Sequence, residues 1–403
     1  MAKAGSKTNK KEKSATPTLL TTISSQVVQK TITNTRKDIQ DWRRAENLAL
    51  NVESRQLWPI QLLFKNILKD TTLTSQIENR RLNVLSASFV LQDEQGNELE
   101  DLTRNLQNAK WINKINNAIF ERKLFFHSLI EVRQENNQVR VNLIPRENVN
   151  PFEGLVYFDY TDQTSSINYR NSEEYNKTLF EFGEDFEDLG LLNKSIPHIL
   201  MKRFTQSCWS ELCEIYGIPP RVMKTNTQDP TMRARGEKML QDMGAAAWML
   251  IDSSEHFEFA QGVSTNGDVY KNFMDFCNAE IRLLITGVQL GQDSKNGSRA
   301  KEEVALNMFN DLINADLSEI EEEWNNKLMP AFIQMGIFPE GTKYMYPPSE
   351  DIGELFSRTQ QALQYYEVDA QWYKQKFGIE VTERRQQSNI FQQGIQPSDS
   401  FFV

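Results

Sequence analysis

The chain has 403 residues, of which 39% are hydrophobic and 25% charged, and a formal net charge of −10. That size and balance fit a globular protein of roughly two to three domains with ample chain for a core. The acidic sign excludes the usual sequence-reading DNA-binding protein, whose affinity rests on neutralising phosphates with Lys and Arg.

Lys3, Lys7, Lys10, Lys11 and Lys13 open the chain with no apolar run behind them, which predicts a disordered basic tail over residues 1–33 rather than a signal peptide. Three cysteines, Cys208, Cys213 and Cys277, are too few and too odd for a disulfide framework and predict a reducing compartment. No run approaches the ~18 apolar residues of a membrane span, which predicts a soluble protein made inside the cell.

Ile39, Trp42, Ala45 and Leu48 recur at helical spacing in a segment beginning near Asn34. Pro59 opens a second helix that ends at Asp70, and a third runs through Arg80 and Arg81 into a strand near Ala87 to Leu91. Gln95-Gly96-Asn97 predicts a tight turn, and residues 102–124 one helix with Leu106, Trp111, Ile115, Ile119 and Leu124 on its apolar side. His127 to Arg133 and Gln138 to Ile144 predict a hairpin, and residues 155–195 an acidic, aromatic, irregular stretch with short strands.

From Ile199 one helix is predicted to Gly217, where Pro219-Pro220 forbid its continuation. A small mixed unit follows, with strands at Val222 to Thr225, Ala246 to Ile251 and His256 to Ala260 and a helix around Arg233 to Met243. A helix is expected over 267–286 and the longest over Ser298 to about Met329, ended by Pro330 or shortly after. Tyr346-Pro-Pro348 precedes a last helix over Asp351 to Phe377.

Between the two long helices lies Gly287-Val-Gln-Leu-Gly-Gln-Asp-Ser-Lys-Asn-Gly-Ser-Arg-Ala300. It is no P-loop. Five residues separate Gly291 from Gly297, Ser298-Arg299 follows where Lys-Ser or Lys-Thr is needed, and a helix rather than a strand precedes it. Cys208 and Cys213 have no zinc-ligand spacing and read as helix packing; His127, His198 and His256 are isolated; no Ser or Cys carries a nucleophile motif. The acids of Glu319 to Glu323 spread around a helix and read as a solvated face. No catalytic constellation, cofactor site or metal site is expected.

Taken in order, "DIQDWRRAENLAL" with "DTTLTSQIENRRLNVL", then "WSELCEIYGIPPRV", "ITGVQLGQDSKNGSRAKEEV" and "YYEVDAQWYKQKFGIEV" resemble the portal proteins of tailed bacteriophages, most closely the Mu-like subgroup. The resemblance covers most of residues 35–385, in a chain short for that subgroup. It implies an α+β, mainly helical portal-type fold assembled as a ring, usually a dodecamer, at one capsid vertex. Double-stranded DNA passes through such a ring, without sequence specificity, during packaging and ejection. The implied parts are a wing over 34–198, a first stem helix over 199–217, a clip over 218–266 and a second stem helix over 267–286. A tunnel loop over 287–299 and a long tunnel/wing helix and turn over 300–349 follow. Residues 350–382 would be a C-terminal wing or reduced crown helix, and 383–403 a tail.

The implied partners are the major capsid protein, the large terminase during packaging and a head-tail adaptor, with no membrane, no cofactor and no enzymatic activity. The implied place is the virion, after assembly in the host cytoplasm. Gln292, Asp293, Lys295, Asn296, Ser298 and Arg299 would face DNA, the cations and amide touching phosphates while Asp293 limits the grip. Trp248, Met249, Phe257 and Phe259 are either the clip's partner-binding face or its own minimal core. Arg80, Arg81, Arg233 and Arg235 could match Glu319 and Glu322 across a subunit interface, or all could be solvated helix charges. The alternatives are a phage structural or scaffold protein that forms no channel, and a nucleic-acid-processing factor.

Overall fold

Asp38 starts the first full helix. Its carboxylate accepts from the Asp41 N–H while the Asp41 carboxylate accepts from the Asp38 N–H, a reciprocal capping box. The structure is a computed structural model and describes residues 23–27, 37–135, 138–183, 188–217, 221–242, 248–252, 254, 267–288, 299–347, 352–363 and 368–379. It falls into two units, Met1–Tyr346 and Pro347–Val403.

In the first unit the short helix α1 (Ile23–Gln26) is followed by α2 (Ile39–Leu50), α3 (Trp58–Ile67) and α4 (Thr71–Ser86). Pro59 lies in the first turn of α3, where its missing N–H costs nothing, and Asp70 caps α4 through the Leu73 N–H. Strand β1 (Val90–Gln92) leads to α5 (Glu100–Gln107) and α6 (Lys110–Phe125). The single helix expected over 102–124 is therefore two. Its apolar period runs on through Leu102, Leu106 and Ile112, but the backbone leaves the helix at Asn108-Ala109, and Ala109 is extended.

Strands β2 (Ser128–Glu135) and β3 (Gln138–Leu143) form the expected hairpin, with Val132 opposite Val141. Strand β4 (Val149–Asn150) comes next, and the stretch 155–195, expected to be irregular with short strands, contains β5 (Leu155–Asp159), β6 (Asp162–Asn168) and β7 (Leu179–Phe182). They complete two three-stranded sheets, β3-β2-β7 and β4-β5-β6. Helix α7 (Gly190–Gly217) starts nine residues ahead of the expected Ile199 and carries Pro197 inside it. Proline at that point removes one backbone bond without stopping the helix.

The small mixed unit is strand β8 (Arg221–Thr225), helix α8 (Pro230–Asp242) and strand β9 (Trp248–Asp252), with the two strands parallel. Gly236 lets α8 lie close on this pair, since a Cβ there would meet the Leu250 side chain at 2.9 Å. The expected strand at His256 to Ala260 lies outside the described residues.

Helices α9 (Asp268–Thr286) and α10 (Arg299–Glu323) flank the glycine-rich loop. After α10 the helical path runs on through Pro330 and ends shortly after it, as expected, but it is not one regular helix. A π-helical turn, Trp324–Leu328, closed by the Met329 N–H on the Trp324 carbonyl, passes into α11 (Met329–Gln334), and strand β10 (Lys343–Met345) pairs with β1. The extra residue of the π turn keeps both Trp324 and Leu328 in the core while Asn325 bonds the Tyr344 backbone N–H and carbonyl, each at 2.8 Å. Trp324 stacks on Tyr344 with centroids 4.9 Å apart and donates to Asn116 at 2.7 Å.

The second unit holds α12 (Ile352–Ala362) and α13 (Ala370–Phe377) where one helix was expected. Asp369 caps α13, and Phe356 packs edge-on against Phe377 at 5.2 Å.

Candidate functional site: the anchorage of the 287–299 loop

The two flanks of the loop are fixed by local chemistry. Helix α9 ends at Gly287, whose φ of +71° closes the last turn by bonding its N–H to the Leu283 carbonyl. The Thr286 hydroxyl lies within hydrogen-bond reach of the Arg282 and Val288 carbonyls, at 2.8 and 2.9 Å. On the far side the chain re-enters helix at Arg299.

One buried guanidinium spans both flanks. Arg80 donates Nε and Nη2 to the two carboxylate oxygens of Asp316 on α10, at 2.7 and 2.8 Å, and Nη1 to the Ile285 carbonyl in the last turn of α9, at 2.7 Å. Arg80 is only 4% exposed and Asp316 2%. Two-pronged pairing of this kind is available to arginine and not to lysine. The pair begins a ladder of alternating charge. Lys123 on α6 bridges Asp316 and Glu319 at 2.6 and 2.7 Å, and Arg122 bridges Glu319 and Glu323 at 2.8 and 2.5 Å. Lys327 closes it on Glu323 at 2.9 Å.

A second buried pair sits at the other end of α4. Lys202 on α7 meets the Asp70 carboxylate at 2.8 Å and donates to the Thr72 hydroxyl, which donates in turn to Asn278 on α9. Helix α4 is thus tied to α7 and α9 near its start and to α9 and α10 near its middle.

Arg80 is a correction to the sequence reading. It was expected at a subunit interface, and instead its charge is consumed inside its own chain. The signal was present: Leu73, Ile77 and Val84 are buried, and Arg80 falls on the same helical face as they do. Glu319 is likewise taken up by Arg122 and Lys123 of its own chain, though it stays partly exposed. Arg81 pairs with Glu78 on its own helix, Arg233 with Glu237, and Arg235 and Glu322 are exposed. Gln292, Asp293, Lys295, Asn296, Ser298, Phe257 and Phe259 lie outside the described residues; Arg299 begins α10 and Trp248 begins β9. Met249 is exposed, while Leu240 and Ile251 are buried among the described residues of the β8–α8–β9 unit.

The apolar residues of the long helices divide between core and surface. On α9, Cys277, Ile281 and Ile285 are buried, whereas Val269, Phe276 and Leu283 fall about 130° around the helix and are exposed. Val269 is 71% exposed, Phe276 54%, and Val304 on α10 59%. Phe204 on α7 is exposed too. Among the described residues no three His, Cys, Asp or Glu side chains gather as a metal-holding group, and no helix is long and apolar enough to cross a membrane.

No curated protein matches the chain. The sequence profile of the portal protein of Mu bacteriophage does match it, over residues 61–379. That span runs from α3 through the charge ladder, the loop and both of its flanking helices to the end of α13, and over it the chain belongs to the family of Mu bacteriophage portal proteins.

Proposed function

We propose that the chain assembles as a closed ring, a dodecamer, at one capsid vertex of a virion, and that double-stranded DNA passes through the ring during packaging and ejection. The observation that carries this reading is the apolar surface of the long helices. Phe204, Val269, Phe276, Leu283, Val304 and Met308 are large, apolar and exposed on three elements of one chain. A monomer would leave that surface in water at a cost of about 25 cal/mol per Å². Copies packed side by side, with different faces of one chain meeting, cover it, and such head-to-tail contacts close into rings.

In this reading α7 and α9 are the stem, the β8–α8–β9 unit is the clip, and residues 287–299 face the channel. Lys295 and Arg299 touch phosphates without reading sequence. The acidic balance suits a conduit: twelve chains at −10 each carry roughly −120, which repels a sliding polyanion at close range. The exposed Met249 suits the clip to docking the large terminase and later the head-tail adaptor, and the wing meets the major capsid protein.

Negative-stain electron microscopy of the purified protein, with particle mass on the same sample, tests the ring. Rings with a hole wide enough for duplex DNA, at a mass near twelve chains, are expected; compact oligomers without a hole overturn the reading. A Lys295→Ala/Arg299→Ala double variant tests DNA contact, and unchanged packaging would remove the role given to those two residues.

A further inference from the structure

We propose that Arg80 is a positioning residue for the loop: a single guanidinium sets the distance between the helix that enters residues 289–298 and the helix that leaves them. Three observations combine. The Ile285 carbonyl belongs to the last turn of α9, where backbone carbonyls run out of partners along the helix, and Arg80 Nη1 supplies one at 2.7 Å. The other two bonds of the same planar group go to Asp316, on α10 beyond the loop. The group is anchored from behind, since α4 is held at its start by the separate buried pair of Asp70 and Lys202. The ends of the loop are therefore referred to the body of the protein through α4, and not only to one another.

The inference rests on the ring reading only for what the loop faces; the clamp itself is a property of one chain. Its consequence is that geometry, and not charge alone, matters at position 80. Arg80→Lys keeps the charge beside Asp316 but has one nitrogen where three are used, so it cannot hold α9 and α10 together. A group present merely to neutralise a buried carboxylate would tolerate that exchange.

The test is hydrogen exchange on the full-length protein, read at residues 282–288, for Arg80→Lys and for an Arg80→Met/Asp316→Leu double variant. The double variant replaces the pair by apolar groups of similar size and keeps the interior free of a lone charge, so it guards against a simple failure to fold. Arg170→Gln, which breaks the Arg170–Glu181 pair away from α4, α9 and α10, is the control. We expect exchange at 282–288 to speed up by about tenfold or more in both Arg80 variants, with the rest of α9 and the Arg170→Gln protein unchanged there. Unchanged exchange at 282–288 in the folded Arg80 variants overturns the clamp. So does a general rise shared with Arg170→Gln, because loss of any ion pair would then serve. If the unaltered chain forms no rings, the ring reading falls while the exchange comparison still decides the clamp.

Discussion

Arg80 and Asp316 stand 236 positions apart in sequence and meet through two parallel hydrogen bonds in the interior, 2.7 and 2.8 Å long. The carboxylate is shared, since Lys123 also reaches it at 2.6 Å. Asp316→Ala therefore strands the almost wholly buried Arg80 cation and leaves Lys123 with Glu319 alone. Breaking a buried pair from one side costs about 3–5 kcal/mol. Urea unfolding should show a loss of that size, and a loss below about 1 kcal/mol would mean that water or another acid replaces Asp316.

The turn between α6 and β2 is held by close backbone approaches as well as by Arg146, which donates to the His127 carbonyl at 3.1 Å. Phe126 is left-handed at a φ of +61°, and Gly190 at a φ of +84° lies so close that a Cβ there would stand 2.5 Å from the Leu124 carbonyl oxygen. Gly190→Ala combines an unfavourable backbone region with a contact the backbone cannot relieve. A loss of at least about 1–3 kcal/mol is expected in thermal or chemical unfolding. A neutral result would show that α7 can shift its start, as its nine residues ahead of Ile199 would permit.

His127 sits in this same turn. It is buried, and neither ring nitrogen meets a partner of hydrogen-bonding geometry. Burial, reinforced by the Arg146 guanidinium, pulls its pKa from 6.5 down to about 3. The unfolded chain then takes up a proton near pH 6.5 that the folded chain refuses until about pH 3. The stability tied to the neutral ring is fully present above 6.5 and lost as pH falls toward 3, at no more than about 1.4 kcal/mol per pH unit. His127→Leu should unfold at similar denaturant at pH 8 and become the more stable protein by pH 5. Parallel curves for the two proteins over that range would mean that His127 is solvated.

Which parts of this were legible in the sequence follows from the range of the forces involved. The helices around Trp42 and through Arg80 are readable from local spacing, though that spacing puts the start of the first near Asn34 and misses its cap at Asp38, and the β2–β3 hairpin is readable from alternation alone. The break at Asn108-Ala109 was hidden because apolar spacing continues across it, and the start of α7 was hidden because Pro197 looks like a boundary. The π turn at Trp324 could not be foreseen, since it answers to Asn116, Tyr344 and Asn325 together. The loop between α9 and α10 stood out by composition, but its anchorage did not. A charge on a helix announces only that it needs a partner, and Asp316 could be matched to Arg80 only once α4, α9 and α10 were packed.

The last prediction separates assembly from folding. Phe276 and Val304 are apolar, exposed, and carried on helices whose opposite faces are buried by Ile281 and Ile320. Phe276→Asp and Val304→Asp place a charge where the lone chain already meets water, so monomer stability should change by no more than about 0.5 kcal/mol. In a ring the same charge would be buried without a partner, at a cost of several kcal/mol for each contact. The expected result is an unfolding curve like that of the unaltered protein together with loss of rings in electron microscopy. Glu322→Arg gives the electrostatic counterpart at an exposed position of α10, and its effect on assembly should weaken with salt if a cation of the neighbouring copy faces it. If both Asp variants assemble normally, the exposed faces of α9 and α10 are solvated in the particle, and the subunit contacts must be sought on α7 and on the sheets.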